Sequence, residues 1–546
     1  MGMSSFLHER QRTTSGPGHR ETPVDRGSLF ARIVAAGEDS RLAIVGPDGA
    51  LSYAELIDRS RRLASHLGAR PSPVVVYGHK QPAIVVGFLA ALRLGRPYVP
   101  IDPSLPPGRI ARMLTAARPA DAVLVEEPPP ALARELASRE ISTITLDALA
   151  ARVAAPALAL DPDVPRPSPS RPETPAYILF TSGTTGDPKG VPVSRGALEH
   201  FTDWLLATHT FVRGGETFLN QAPLSFDLSV MDVYGALLTG GTLFVLRRDE
   251  TADPRRLFGR LDGAPLTAWV STPSFARLCL AEPRFAQAML PGLRCFLFCG
   301  ETLPPAVARE LLARFPGAEV WNMYGPTETT VAVTAVQITP AMAASNRALP
   351  VGRAAPGHEI WIADPDDPAR RLPDGAHGEI VIAGPQVASG YLMPALDARD
   401  GGRGPFLVLP DGRRAYRTGD LGSIDSVGGL LHCAGRLDRQ IKLRGYRIEL
   451  EEIEAHLRAM PGVGDAAVLA VDRGGQPDHL VAVIVDARAA APSLPVSGRD
   501  LTGLVRAALA DWLPDYALPR IVRRLPALPL TENGKLDRDT LRELLG

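Results

Sequence analysis

The chain has 546 residues, 45% hydrophobic and 22% charged, with 59 basic residues set against 60 acidic ones. A single core seldom grows beyond about 300 residues, so at least two domains are expected. The ordinary composition excludes disordered, collagen-like and disulfide-scaffold proteins. The net charge of −1 offers no bulk attraction to nucleic acid or an anionic membrane.

Residues 1–26 are polar, lack a signal-peptide apolar region, and are expected to form a loose tail. From Ser28 onward, strand text at 43–45, 74–77 and 122–125 alternates with helical periodicity at 52–67 and 81–94. This is the pattern of an α/β domain with parallel-rich sheets. The longest apolar run, 83–92, has ten residues, half of the ~20 that a bilayer span needs. The proline-rich stretch 155–175 is expected to be a surface connection, before strand text resumes at 177–180. A polar, basic stretch at 435–447 marks a second change. Beyond it, 451–460, 501–513 and the residues from 536 read as helices, and 466–471 and 480–486 as strands. The expected organisation is a tail (1–26), a large N-terminal domain (27–437), a hinge (438–441) and a small mobile α+β domain (442–546).

The cysteines at 279, 295, 299 and 433 form no CxxC pair and no zinc-type cluster. They read as thiols in a reducing compartment, and a cytoplasmic protein is expected. Only four of the basic residues are lysine: Lys80, Lys189, Lys442 and Lys535. Where arginine serves for generic charge, a retained lysine hints at a need for a compact ammonium on a thin stem, or at chance.

The strongest local signal is YILFTSGTTGDPKG at 177–190. A buried strand runs into a loop of hydroxyl and glycine residues that ends in Lys189. Backbone N–H groups, hydroxyls and one cation suit a polyphosphate, although the GK[ST] ending of a Walker A loop is absent. The same composition also suits a plain surface loop.

This segment resembles the phosphate loop of adenylate-forming enzymes, specifically the amino-acid adenylation domains of nonribosomal peptide synthesis and their stand-alone relatives. Further matches follow in the family's order: LSYAEL at 51–56, YVPID at 98–102, FDLS at 226–229, NMYGPTE at 322–328, GEIVIAG at 378–384, YRTGDL at 416–421, GRLDRQIKLRG at 435–445 with RIEL at 447–450, and NGKLDR at 533–538. They cover nearly the whole chain after the tail and contain three of its four lysines. STPSF at 271–275, FLFCGE at 296–301 and the stretch 324–334 look most like D-alanine–carrier protein ligases.

The resemblance implies ATP and Mg²⁺ as cofactors and a role for each matching residue. Thr181, Ser182, Gly183, Thr184, Thr185 and Gly186 would cradle the β- and γ-phosphates, helped by Lys189. Tyr324, flanked by Met323 and Gly325, would stack on adenine, and Asn322 would bond its exocyclic amine. Thr327 would contact phosphate and Glu328 would hold Mg²⁺, a hard cation that takes oxygen ligands. Asp420 would accept the ribose hydroxyls, with Arg436 beside it. Lys535 would bridge the substrate carboxylate and the α-phosphate. Asp438 would be the pivot, and Lys442 to Gly445 the loop that swings in for thioester formation. Cys433 departs from the family, which often has an aromatic there. Taken singly, Tyr324 also reads as a core aromatic, and Asn322 and Asp420 as turn or cap residues.

Asp227 discriminates between substrates. In amino-acid adenylation domains this carboxylate pairs with the α-ammonium, and a buried carboxylate without a partner is costly; the lesser alternative, read alone, is a cap for the helix that follows. The resemblance assigns Leu228, Met231, Val270, Leu297, Cys299, Gly300, Met323, Val331 and Ala332 to the side-chain pocket. No charged group among them faces a substrate side chain. The resulting small apolar hole suits alanine in either stereoisomer, or glycine or serine. The expectation is therefore ATP-dependent activation of a small amino acid to aminoacyl-AMP. Transfer to the phosphopantetheine thiol of a carrier protein would follow, with the carrier supplied in trans because no carrier segment follows 533–535. The alternative is an acyl- or aryl-CoA ligase of the same superfamily.

Overall fold

The computed structural model describes residues 28–68, 70–145, 171–183, 187–345, 347–392, 404–473, 477–487, 499–530 and 536–545. The expected tail, most of the 155–175 connection, Thr184–Gly186 and Lys535 lie outside these residues.

Two large sheets organise the first part of the chain. One has six strands, of which those at Val74–Tyr77, Tyr98–Ile101, Asp121–Leu124, Ser142–Thr145 and Pro175–Thr181 run parallel. The other has nine, with a parallel centre formed by Thr217–Asn220, Thr242–Val245, Ala268–Ser271, Cys295–Phe298 and Glu319–Tyr324. Strand alternation assigns each sheet's side chains to two cores. Val74, Val76 and Tyr98 meet Phe218, Leu243 and Val270 in a core between the sheets. Val75, Tyr77 and Val99 face outward onto the helices Pro107–Ala117 and Pro130–Ser138. On the other sheet, Leu219, Phe244 and Trp269 pack outward on a second helical layer. The result is helix–sheet–helix–sheet–helix layering, with strands buried on both faces as parallel sheets require. The largely apolar helix Leu228–Thr239 runs between the sheets and is buried nearly all round, its one carboxylate, Asp232, accepting from Asn220 at 2.9 Å.

The sequence motifs also do structural work. Ser52 and Glu55 form a reciprocal capping box at the start of the helix Tyr53–Leu67. Lys80, the lysine outside the motifs, is buried. Its ammonium donates to the carbonyls of Gln221 (2.7 Å), Leu246 (2.8 Å) and Asn220 (3.3 Å), tying two strand ends together. Burial brings its pKa down to about 7.

A five-stranded antiparallel sheet spanning Glu359 to Arg436 follows. The chain then enters a separate two-stranded ribbon, Gln440–Leu443 paired with Tyr446–Glu449. Gln440 and Ile441, expected in the hinge, already belong to this ribbon because Ile441 and Leu443 pack on the small domain's core. That core also holds the helices Leu450–Arg458 and Arg499–Leu509 and a three-stranded sheet. The expected α/β architecture with a small α+β domain is borne out. Among the described residues, no helix is long and apolar enough to cross a membrane.

The two domains meet closely. Arg109 and Glu452, both almost fully buried, form an ion pair of 2.7 Å across the boundary. The Arg112 guanidinium lies 5.3 Å from the centre of the Trp512 ring.

Candidate active site

A cleft opens between the domains at the carboxyl ends of the parallel strands, where open α/β sheets bind ligands. Thr181, Ser182, Asp227, Gly300, Gly325, Thr327, Asp420, Arg436 and Lys442 all line it. Residues hundreds of positions apart in sequence thus share one cavity.

The hydroxyl-rich segment is the connection of an antiparallel hairpin in which Thr181 pairs with Lys189. A side chain at Gly183 would put its Cβ 2.1 Å from the Asp187 carbonyl oxygen, so only glycine permits this close approach. Thr181 Oγ1 is buried without a partner among the described residues. The Lys189 ammonium lies 5.4 Å from the centre of the Tyr391 ring.

Asp227 directly precedes the helix Leu228–Thr239 and opens onto the cleft, where it accepts from Thr327 Oγ1 at 2.7 Å. Burial lifts its carboxyl above the ordinary range, against that hydrogen bond. Lys442, from the small domain, brings an ammonium to the same cleft.

Leu228, Met231, Val270, Leu297, Cys299, Met323, Val331 and Ala332 are all buried in the one core between the sheets. Val270 and Leu297 are register partners on adjacent strands, and Leu297 pairs with Trp321, two residues before Met323. Period-two alternation therefore puts these strand residues on one face. Cys299 Sγ donates to the Val331 carbonyl at 3.5 Å, and burial pushes its thiol up to about 12.

On the opposite side of the cleft, Asp420 accepts from Tyr324 Oη at 2.6 Å and is ion-paired with Arg436. Arg436 also grips Asp438 through Nε (2.5 Å) and Nη2 (2.6 Å). Asn322 donates its amide to the Pro350 carbonyl at 2.8 Å, which leaves Oδ1 buried and without a partner among the described residues.

Glu328 is fully buried and does not line the cleft. Its carboxylate accepts from Tyr391 Oη at 2.7 Å and from Arg447 Nη1 at 2.8 and 3.0 Å. Burial alone would raise this carboxyl; Arg447 and Tyr391 hold it below the usual range. The small domain also covers the site through its backbone: Ser182 Oγ donates to the Arg447 carbonyl at 3.1 Å, and the Gly445 N–H donates to Glu301. Gly445 has φ 86°, and a Cβ there would lie 2.6 Å from Thr272 Cγ2. The motif containing Arg447 was evident in the sequence, but its pairing with Glu328 was not. Glu301 closes the FLFCGE motif, though its bond to Gly445 was not evident there, and Tyr391 carried no local signal.

A strand that runs into a hydroxyl-bearing turn, a carboxylate at a helix start in front of an apolar core, and a second domain lying over the same cleft have the make-up of a two-domain enzyme site. The chain belongs to the AMP-binding enzyme family: that family's model matches residues 31–392, and the model of the AMP-binding enzyme C-terminal domain matches residues 452–535. The D-alanine–D-alanyl carrier protein ligase of Bacillus velezensis is 43% identical over 504 residues, which cover 91% of this chain and 95% of that protein. Its namesake from Bacillus licheniformis is 41% identical over 518 residues, covering 93% and 97%. Among solved structures, holo-PA1221, an NRPS protein containing adenylation and PCP domains bound to a vinylsulfonamide inhibitor, aligns with a TM-score of 0.76 at 28% identity. The alignment covers 95% of this chain and 84% of that one.

Proposed function

We propose that the protein uses ATP to convert a small amino acid, foremost alanine, to an aminoacyl adenylate. It then transfers the aminoacyl group to the phosphopantetheine thiol of a separate carrier protein in the cytoplasm. The observation that carries this reading is Asp227: a half-buried carboxylate at the cleft, directly before the buried apolar residues, bonded to Thr327 and sharing the cleft with the Lys442 ammonium of the small domain. A buried carboxylate calls for a cation, and an amino acid brings one on the carbon that bears its carboxylate.

In the first step a carboxylate oxygen of the amino acid bonds to the α-phosphorus, the bond from that phosphorus to the bridging oxygen breaks, and diphosphate leaves. Asp227 holds the α-ammonium and so orients the carboxylate. The eight apolar residues behind it exclude water and limit side-chain size. Lys535 stabilises the charge that gathers between the two anions. The orphaned Thr181 Oγ1 fits a phosphate oxygen, and the orphaned Asn322 Oδ1 fits an exocyclic amine donor. Glu328 would hold Mg²⁺: its ionised carboxylate has Arg447 of the small domain as its counter-charge in the present arrangement, and Thr327 would contact phosphate. When bound, the ion would neutralise phosphate charge. Asp438 is the pivot in this reading, with the domain boundary at 437/438. In the second step the carrier's thiolate attacks the carbonyl carbon and AMP leaves, with the loop from Lys442 to Gly445 at the cleft.

Intact-mass analysis of a holo-carrier protein incubated with ATP and D- or L-alanine tests this reading. The expected result is one alanyl group added to the phosphopantetheine arm. Loading of no carrier, with acyl-CoA formed from an acid lacking an amine, would overturn it.

A further inference from the structure

Among the buried apolar residues read as the amino-acid site is a turn whose backbone hand is wrong for its residues. Thr330 and Val331 follow the single helical turn Thr327–Thr329 with φ of 62° and 66°. Left-handed backbone disfavours β-branched side chains, so two in succession persist only where the surroundings enforce them.

Gln386 provides the enforcement. It is fully buried, and its Nε2 donates to the carbonyls of Ala332 (2.9 Å), Thr330 (3.2 Å) and Thr329 (3.3 Å). Its own backbone carbonyl accepts from Thr330 Oγ1 at 2.8 Å. Its Oε1 lies 3.1 Å from His200 Nδ1, and the His200 ring meets His358 edge-on at 5.2 Å. The clamp continues two residues on, where the Ala388 N–H donates to the Glu328 carbonyl at 2.9 Å. Every polar atom of the carboxamide is therefore committed to this turn or to its support. The turn in turn delivers the Val331 side chain to the pocket and the Val331 carbonyl to Cys299 Sγ.

We propose that Gln386 is a positioning residue for the amino-acid pocket: without touching substrate, it holds residues 329–332 in the left-handed turn that sets Val331 against Cys299. This rests on the reading of that pocket as the amino-acid site. Gln386→Met keeps the volume and removes the donors. Its KM for alanine in ATP–pyrophosphate exchange is expected to rise at least tenfold, with KM for ATP within twofold of the unaltered protein. Glycine accepts left-handed backbone without help. Thr330→Gly added to Gln386→Met is therefore expected to bring the alanine KM back to within threefold. An unchanged alanine KM overturns the proposal, as does a parallel loss in both KM values and kcat, which general loosening would give. If Gln386→Met does not fold, Thr330→Val, which removes only the hydroxyl bonded to the Gln386 carbonyl, reads the same parameter. A rise of threefold or more supports the clamp and no change overturns it. Unaltered protein inactive toward every amino acid would remove the pocket reading itself, and the proposal with it.

Discussion

The two sides of the cleft are built on opposite plans. The side proposed to hold the amino acid is built mainly on the large domain: Asp227 at a helix start, backed by residues from strand ends and one helix that share a core, with the Lys442 ammonium of the small domain in the same cleft. The phosphate side is completed by the small domain: Arg447 neutralises Glu328, the Arg447 carbonyl takes the Ser182 hydroxyl, and Gly445 is tied to Glu301. A pocket carved in a close-packed core keeps its shape and measures its ligand. A site whose counter-charge comes from another domain changes whenever that domain moves. In the proposed reading, selectivity belongs to the first side and the change of step to the second.

The largest effect should come from the rigid side. Asp227→Asn removes the partner of the substrate ammonium. Leaving a buried charge unpaired costs about 3–5 kcal/mol, so kcat/KM for the amino acid in pyrophosphate exchange should fall ~10²–10³-fold or more. KM for ATP should stay nearly constant. On the movable side, Lys535→Ala should slow adenylation by ~10²–10³-fold, the scale of losing one electrostatic donor; an unchanged exchange rate would refute that role. Arg109→Met or Glu452→Gln breaks the buried ion pair that ties the domains in the present arrangement. Carrier loading should slow by about tenfold, since one-sided loss of a buried pair is unfavourable. Exchange should be nearly unaffected, and equal losses in both assays would contradict a pair specific to one arrangement. The smallest effect is on pH dependence. Burial raises the Asp227 carboxyl, so it takes up a proton at a higher pH than an ordinary carboxylate. Ammonium binding needs the ionised form. The amino-acid KM should therefore increase as pH falls through that raised pKa, while KM for ATP stays flat.

Much of this was legible in the sequence for the reasons that separate the two sides. Strands and helices alternate with strong periodicity, and the phosphate-side residues sit in short motifs rich in glycine and hydroxyls. Each pocket residue, by contrast, reads as core, because an apolar side chain in a small cavity has the same sequence signature as one in a packed interior. The contacts that were missed are long-range polar ones. Arg447 meets Glu328 across 119 positions, and Arg109 meets Glu452 across 343. A single polar residue with a distant partner leaves no periodic trace. Gln386, which follows the GEIVIAG motif, is invisible for the same reason. Lys80 was conspicuous only as a lysine, and burial against three carbonyls, not catalysis, accounts for it.

The central claim is that a carboxylic acid is held by its own ammonium while its carboxylate attacks nucleotide phosphorus. ATP–pyrophosphate exchange measured with every proteinogenic amino acid in both stereoisomers, alongside fatty and benzoic acids, tests it most directly. Exchange driven by alanine or another small amino acid, and by none of the amine-free acids, is the predicted result. Exchange driven only by acids without an amine would contradict the account.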